Sequence, residues 1–280
     1  MKTRLNDSLL SDAAHADGVS FKGPPRRSPN GKLSRIEALI GSKVGRIVSR
    51  IASPTAPATA TRDLQDDDFM NPAMFLVEAG VDLWDQPWLP GGATCRSCHQ
   101  DIVADMRGVA ARYPQIDADS GRLVSLEMKI NTEIQSKSGG VPLTEGAQDL
   151  LALSALIGFQ SRGMPMAVVV TPETQPWIDK GEQIFQTRRG QLNLSCANCH
   201  EDHWGEKLRG DTISQGHIND FPIYRLAWGE VGSRQRMFTW CMESVRSEPF
   251  AYGSDAFLAL EIYLAVRGTG LLVETPGVRR

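Results

Sequence analysis

The chain of 280 residues lacks any apolar run long enough to span a bilayer, because a spanning helix needs about 20 consecutive apolar residues. It also lacks the apolar core of a secretory signal peptide, although Met1-Lys-Thr-Arg-Leu5 supplies the positive charge. The nearest apolar segment, 36–60, ends in small residues that resemble a cleavage region, but three cations interrupt it: Lys43, Arg46 and Arg50. The sequence therefore predicts no membrane span and shows no ordinary export signal.

A large excess of charge of either sign is also absent. Lys and Arg total 30 against 33 Asp and Glu, which gives a formal net charge of −3. Such a balance gives no global electrostatic footprint for nucleic acid or for an anionic membrane. Aromatic residues make up only 7% of the chain, which leaves room in the core for large apolar cofactors.

Cysteine and histidine are scarce, at five residues each, but most of them fall in a pentapeptide that occurs twice. The two copies are Cys95-Arg-Ser-Cys98-His99 and Cys196-Ala-Asn-Cys199-His200. C-x-x-C-H is the attachment signature of a c-type haem. Two cysteines three residues apart reach the two vinyl groups of one porphyrin, and the histidine then binds the iron. The motifs predict two covalent haem c groups, bound through Cys95, Cys98, Cys196 and Cys199, with His99 and His200 as iron ligands.

A zinc site is the alternative interpretation of the same cysteines. Two C-x-x-C pairs can form a four-cysteine zinc site. The histidine after each pair has no function in such a site, and 97 residues separate Cys98 from Cys196. Haem attachment is therefore the favoured interpretation.

The order of elements around each motif is similar, which predicts a tandem repeat. Residues 1–62 are polar and rich in proline, and are predicted to be a leader or disordered linker. Residues 63–165 and 166–280 are each predicted to form one cytochrome c-like domain. In each, a helix precedes the haem motif and another closes the domain; helices are expected at 71–81, 144–161, 176–185 and 254–268. The fold class is therefore mainly α, and 164–170 is the expected connection.

The sixth ligand of each haem iron has several candidates. The first half contains no further cysteine or histidine, so Met106 and Met128 remain, although methionine on a helix more often packs in the core. The second half offers five candidates: His203, His217, Met237, Met242 and Cys241.

Cys241 has no partner cysteine left. A free cysteine is usually an inert buried thiol. Four cationic side chains nevertheless lie near it in sequence: Arg225, Arg234, Arg236 and Arg246. A cationic setting lowers the pKa of a thiol and also binds a small dianion, so a reactive Cys241 is the competing interpretation.

These residues resemble the SoxA family of the SoxAX cytochromes. In the second half the resemblance rests on the segments 189–200, 205–217, 222–228 and 245–249 together with Cys241. In the first half it rests on 108–114 and 160–165. The motifs occur in the family's order and cover about residues 65–270.

The resemblance implies an L-cysteine S-thiosulfotransferase of the periplasm. Members of this family join thiosulfate oxidatively to a cysteine of the carrier SoxYZ and pass electrons to SoxX, a small monohaem cytochrome. By resemblance, Cys241 is the distal ligand of the second haem and handles the sulfur, as a thiolate or a persulfide. His200 is then the proximal ligand. Arg236 and Arg246 are the arginines expected to bind the anionic substrate.

Two departures from the family stand out. Dihaem members carry a cysteine ligand for the first haem in the segment matching 122–131, and no cysteine follows here. A family arginine four residues before the active cysteine corresponds to Met237. Two alternatives therefore stay open: a tandem electron carrier with Met237 or Met242 as ligand, and an inactive paralogue that only binds partners.

Overall fold

The computed structural model describes residues 59–280, so 1–58 of the predicted leader lie outside the described residues. Helix α1, Thr59–Asp66, spans the boundary predicted at residue 62. Its Gln65 accepts a hydrogen bond from the backbone N–H of Val278 at 3.0 Å. Because α1 is bound to the C-terminal segment in this way, it belongs to the folded body.

Helices dominate the described residues, which confirms the predicted mainly α class. The longer helices are α2 Met74–Asp85, α5 Leu126–Ser138, α6 Gln148–Phe159, α7 Gln175–Gln186, α8 Arg234–Ser244 and α9 Asp255–Arg267. Two short helices, α3 Cys95–Cys98 and α4 Ile102–Met106, and a 3₁₀ turn, Ala110–Arg112, follow one another in the first half. Within residues 59–280, no helix combines the length and the apolar character that crossing a membrane requires.

Short strands supply the remaining regular structure. Two antiparallel pairs are β1 Gln115–Ile116 with β2 Leu123–Val124, and β3 Lys207–Leu208 with β4 Asp211–Thr212. A third sheet has the order β6-β5-β7, formed by Glu230–Gly232, Ile223–Arg225 and Gly277–Arg279. Strand β5 is antiparallel to β6 and parallel to β7, so the C-terminus is fastened to the segment that ends at Arg225.

Each half is built on one pair of crossing helices, and a glycine makes each crossing close. A Cβ on Gly80 of α2 would lie 2.4 Å from the carbonyl oxygen of Ala152 in α6. A Cβ on Gly181 of α7 would lie 2.0 Å from the carbonyl oxygen of Ala259 in α9. Both halves therefore bring the helix before the haem motif against the closing helix by the same device.

Two buried clusters form the core and share the boundary between the halves. One is centred on α2 and α6 and includes Val231 from β6 of the second half. The other is centred on α7 and α9 and includes Ala111 and Leu123 from the first half. Side chains from each half thus complete the apolar core of the other.

Candidate functional site

The first haem motif is a single helical turn held by a reciprocal cap. The Thr94 hydroxyl accepts from the backbone N–H of Ser97 at 3.1 Å, and the Ser97 hydroxyl accepts from the N–H of Thr94 at 2.8 Å. This capping box satisfies donors that a helix start leaves free. It leaves Cys95 half-buried and Cys98 exposed.

The second motif uses the same device with other residues. The Asn198 side chain accepts from the N–H of Ser195 at 3.1 Å, and the Ser195 hydroxyl accepts from the N–H of Asn198 at 3.3 Å. A π-helical turn, Asn198–Asp202, follows at once, and such turns occur frequently at functional sites. Here both Cys196 and Cys199 are half-buried.

The two motifs are not gathered into one metal site. Among residues 59–280, no three Cys, His, Asp or Glu side chains are close enough together to hold a metal ion. The four-cysteine zinc alternative requires all four thiols at one place, and this arrangement does not supply them.

His200 is held in the manner of a metal ligand. Its Nδ1 donates to the Ser214 carbonyl oxygen at 2.7 Å, which places the proton on Nδ1 and leaves the Nε2 lone pair available. Gly216, at φ +74°, packs on the ring, because a Cβ there would lie 3.0 Å from His200 Cγ. Burial lowers the pKa of His200, which keeps the imidazole neutral. These features fit a proximal haem ligand.

His99 has a different environment. The indole Nε1 of Trp84 donates to the His99 carbonyl oxygen at 3.3 Å, and the two rings lie 6.0 Å apart. Trp84 is buried in the core of the first half, so it anchors the end of the first motif to α2.

Cys241 lies in α8, close enough to both thiols of the second motif to interact with them electrostatically. Burial raises the pKa of Cys241 to about 12, and the charges of Cys196 and Cys199 add to this effect. Burial also raises the pKa of Cys196 to about 11. A thiol in this setting stays protonated at neutral pH unless a cation binds the sulfur, so a ferric iron beside it would supply what the protein alone does not.

Arg225 is the arginine whose charge opposes this rise in the Cys241 pKa. It ends β5 and is only 8% exposed. Its guanidinium carbon lies 4.0 Å from the ring centre of Trp240 and 5.4 Å from that of Trp228. Stacking of this kind holds a guanidinium in place without neutralising it.

The polar contacts of Arg225 leave its charge largely unpaired. Nη1 lies 3.4 Å from the Met237 sulfur, and Nη2 lies 3.9 Å from an Asp211 carboxylate oxygen. Nε is buried and has no hydrogen-bond partner among the described residues. An unpaired buried donor is costly, so this atom is suited to an anion that the site receives.

The two arginines expected from the resemblance lie farther out. Arg236 is half-buried, pairs with Glu230 and stacks on Trp228 with its guanidinium carbon 4.4 Å from the ring centre. Arg246 is exposed, adopts φ +58°, and its Nη1 lies 3.4 Å from the Gln191 side-chain oxygen. Their roles stay predictions. Arg225 was only one of four sequence candidates, and no spacing rule singles out a strand residue 16 positions before Cys241.

The candidate sixth ligands of the first haem differ in burial. Met106 is 7% exposed and packs in the first core, whereas Met128 is half-buried and touches both cores. Asn131 lies in the segment where family members carry the cysteine. Its amide oxygen accepts from the Leu143 N–H at 2.8 Å, and its amide nitrogen donates to the Leu143 carbonyl at 2.9 Å. Asn131 therefore binds the loop between α5 and α6.

The remaining candidate sixth ligands of the second haem differ in burial and position. Met237 is half-buried one turn before Cys241 on the same face of α8, whereas Met242 is buried in the core. His203 is exposed and contacts Glu206. Burial and the charges of Arg267 and His200 lower the pKa of His217 to about 4.

An open cleft of about 920 Å³ adjoins His200. Its lining is rich in carboxylates: Asp179, Glu182, Glu201 and Asp202. Arg267 pairs with Glu201 at its edge. Carboxylates outnumber cations on this side of the second motif, so the side of Arg225 suits an anion better.

Comparison with known proteins identifies the family. The model of the SoxA/TsdA cytochrome c domain matches residues 79–166 and 180–273. The SoxA subunit of the L-cysteine S-thiosulfotransferase of Pseudaminobacter salicylatoxidans is 41% identical over 221 residues, 79% of this chain and 77% of that protein. The chain belongs to the SoxA family. The two-part match also confirms the predicted tandem of cytochrome c-like domains.

Other SoxA proteins give the same result. The subunit from Paracoccus pantotrophus is 41% identical over 220 residues, 79% of this chain and 76% of that protein. The crystal structure of SoxXA from P. pantotrophus superposes with a TM-score of 0.77 at 41% identity and covers 80% of this chain and 84% of that chain. Membership of the SoxA family, which the motifs implied, is therefore confirmed.

Proposed function

We propose that this protein is the haem-bearing SoxA-type subunit of a periplasmic L-cysteine S-thiosulfotransferase. It joins thiosulfate to a cysteine of a SoxYZ-type carrier and passes the electrons to a SoxX-type monohaem cytochrome. The activity for which the relatives are named and the similarity to the SoxXA crystal structure support this proposal. Two haem c groups are attached through the cysteines of the two motifs, with His99 and His200 as ligands.

The observation that carries the proposal is the position of Cys241 beside Cys196 and Cys199, with Arg225 next to it. The first motif has no such thiol, because the first half contains no cysteine beyond Cys95 and Cys98. A sulfur ligand and an unpaired cation at one motif are suited to sulfur chemistry on an anion. We therefore assign the reaction to the second motif and electron relay or a structural role to the first.

The proposed reaction balances without a further reagent. Thiosulfate and a carrier thiol form a new S–S bond between the outer sulfur of thiosulfate and the cysteine sulfur. One proton and two electrons are released, and the product carries one negative charge. The haem groups, when bound, supply the sink for these electrons.

The residues of the chain have distinct tasks in this scheme. His200, oriented through Ser214, and Cys241 would hold the iron of the second haem. Arg225 attracts the thiosulfate dianion through its stacked, unpaired guanidinium, and Arg236 and Arg246 extend the cationic approach. The acidic cleft beside His200 turns the anion away from the other side.

The first test replaces the proposed sulfur ligand. Cys241→Ala is expected to abolish reduction of the haems by thiosulfate and to change the absorption and paramagnetic resonance spectra of the second haem only. Glu243→Gln, at an exposed site of the same helix, serves as the control and keeps both the thiosulfate activity and the spectra of the second haem. Full thiosulfate activity of Cys241→Ala would refute the proposal.

A second test addresses substrate binding. Arg225→Gln is expected to raise the KM for thiosulfate about tenfold or more, since a charge-assisted hydrogen bond contributes about 1.5–3 kcal/mol. Arg122→Gln makes the same charge change at an exposed site of the first half and is the control. An unchanged KM would show that Arg225 does not bind thiosulfate, and the proposed role of Cys241 would still stand.

One observation favours a second function, electron transfer alone. Met237 lies on the same face of α8 as Cys241, one turn earlier, so a methionine sulfur is also available. In that case Met237→Leu removes the methionine–iron charge-transfer band, and Cys241→Ala leaves the second haem unchanged. The two variants together separate the functions.

A further inference from the structure

A cluster of three glutamates and one arginine lies where the two halves of the protein meet. Glu127 comes from α5 and Glu145 from the loop before α6, whereas Arg234 begins α8 and Glu261 belongs to α9. Arg234 and Glu261 are 6% and 2% exposed. Charged groups this deep are rare unless they are paired, and the sulfur chemistry makes no use of them.

The arginine is shared between two carboxylates and forms a close bond with neither. Arg234 Nη1 lies 3.5 Å from Glu261 Oε2 and 3.7 Å from Glu127 Oε2. Neutral side chains make the shorter contacts. Gln235 Nε2 donates to Glu261 Oε1 at 2.7 Å, and the Ser154 hydroxyl donates to Glu127 Oε1 at 2.9 Å.

Unpartnered atoms of the cluster face a small cavity. Glu261 Oε2 and both Nε and Nη1 of Arg234 are buried without a hydrogen-bond partner among the described residues. These two residues line a cavity of about 10 Å³ together with Glu127, Glu145 and Tyr252. That volume is close to the minimum for one water molecule. An acceptor left bare in such a place is costly unless it carries a proton or meets a water.

The charges of the cluster do not cancel. With every carboxyl ionised, three negative charges face one positive charge, and a buried excess of this kind is relieved when one carboxyl binds a proton. Glu261 is the most buried of the three. The groups that face it are Arg234 with Gln235 from α8, Glu127 from α5, and Glu145 and Tyr252 from two loops.

The cluster is linked to the candidate active site through α8. Cys241 follows Arg234 by seven residues on that helix, which is two turns or about 10 Å along the axis. At an effective dielectric constant of about 20, one charge at this separation shifts the pKa of a buried group by about one unit. Because Arg234 Nη1 lies 3.5 Å from Glu261 Oε2, we expect a change of charge at the Cys241 end of α8 to reach Glu261 through this pair.

We propose that this cluster is a proton-binding site in which Glu261 takes up one proton from bulk water when the second haem site gains an electron. A single buried water bridges Glu261 Oε2 and Arg234. Each reduction consumes one electron from the reductant and, averaged over the molecules, a fraction of a proton from solvent as the pKa of Glu261 rises; both leave on reoxidation. The inference rests on the haem binding given under the proposed function and is independent of thiosulfate chemistry.

Glu261 titrates in a pH range that cells experience. Burial, reinforced by the charges of Glu127 and Glu145 and opposed by Arg234, raises the pKa of Glu261 to about 7. Burial also raises the pKa of Glu145. Between pH 6 and 8 the proton is therefore bound in part of the molecules, and a change of charge nearby alters that fraction.

The test measures the midpoint potential of the second haem by spectroelectrochemistry on the full holoprotein, without thiosulfate, from pH 6 to 8. The potential of the wild type is expected to fall as pH rises. Glu261→Gln, a close mimic of the protonated carboxyl, is expected to remove that slope. Glu78→Gln, at an exposed site of α2, is the matched control and keeps it.

Redox infrared difference spectra of the wild type give a reading that needs no variant. A protonated carboxyl band is expected to gain intensity on reduction and to be lost in Glu261→Gln. A wild-type potential that is independent of pH across this range, or a slope that persists in Glu261→Gln, overturns the proposal. Thiosulfate turnover that persists in Cys241→Ala, while the wild type shows the slope, tells against the sulfur chemistry alone.

Discussion

The crossing of α7 and α9 at Gly181 allows a sharp test of how the second haem domain is built. Gly181→Ala adds a single methyl group. That Cβ would lie 2.0 Å from the carbonyl oxygen of Ala259 and 2.6 Å from Cβ of Tyr263. Neither atom is the movable end of a side chain, so the helices themselves must separate.

The size of the effect follows from the displacement. Folded proteins do not tolerate Cβ contacts under 3.0 Å, so the helices must part by at least 1 Å at the crossing. A gap of that size forfeits a quarter to a half of the local dispersion energy, and overpacking costs about 1–3 kcal/mol. Replacing a helical glycine by alanine returns up to about 1 kcal/mol of helix propensity. We expect a net loss of about 2 kcal/mol in the free energy of unfolding.

Urea denaturation of the holoprotein, followed by circular dichroism, measures this loss. A loss of about 2 kcal/mol corresponds to a fall in Tm of about 4–8 °C for a chain of this size. Gln183→Ala, at an exposed site of the same helix, controls for helix propensity and changes stability little. If Gly181→Ala is as stable as the wild type or more so, helix propensity outweighs the clash and the close crossing is not required.

Three further predictions concern local features. Ser254→Ala removes the hydroxyl that accepts from the Phe257 N–H at the start of α9, so unfolding free energy falls by about 1 kcal/mol; no change would mean that water replaces the cap. Lys129 lowers the pKa of Asp117 to about 2, so the stability this carboxylate contributes is present above its ordinary value of 3.8 and is lost as pH falls toward 2. In Asp117→Asn the free energy of unfolding is expected to fall less steeply as pH decreases toward 2. An unchanged dependence on pH contradicts the assignment. Gly216→Ala pushes on the His200 ring and alters the spectrum of the second haem but not the first; identical spectra would show that the ring is not confined there.

The helices that pack across each half were predictable because their signals are local. Ser254 and Gly268 bracket α9, and the helix runs between them as expected. The predicted helix at 144–161 begins later, at Gln148, because Gly146 adopts φ +77° and ends helical geometry before it. The boundary set by the Ser254 cap was therefore predicted, whereas the one set by Gly146 was missed.

Elements that depend on distant partners were missed. Helices α5 and α8 were not predicted, although Ser125 and Ser233 cap them and Gly139 ends α5. Their apolar faces are narrow, because each also carries polar groups that pack between the halves. Strand β5 also pairs with β7, 54 positions further along the chain, and short-range patterns do not encode such a pairing.

The residues of the candidate site also fall into two groups: those that a local motif predicts and those that tertiary structure brings together. C-x-x-C-H is a local motif, so the proposed haem cysteines and histidines follow from the sequence alone. Arg225 is the cation whose charge opposes the rise in the Cys241 pKa. It lies near α8 because β5 pairs with β6 and β7. The family resemblance favoured Arg236 and Arg246, whose roles stay predictions; Arg236 is paired with Glu230, and Arg246 is exposed. Strand pairing, which spacing along the chain does not reveal, places Arg225 within electrostatic reach of Cys241.

The duplicated motif therefore does not imply duplicated chemistry. Both copies share a capping box and a glycine at the helix crossing, so the repeat supplies two similar local structures for the proposed haem groups. What differs among residues 59–280 is the neighbouring strand and helix: β5 and α8 bring Arg225 and Cys241 to the second copy. A buried thiol with a pKa near 12 is useless as a free nucleophile, yet well suited to bind a metal cation that replaces its proton. Burial of Cys241 thus argues for iron ligation, and the open charge of Arg225 argues for an anion beside it.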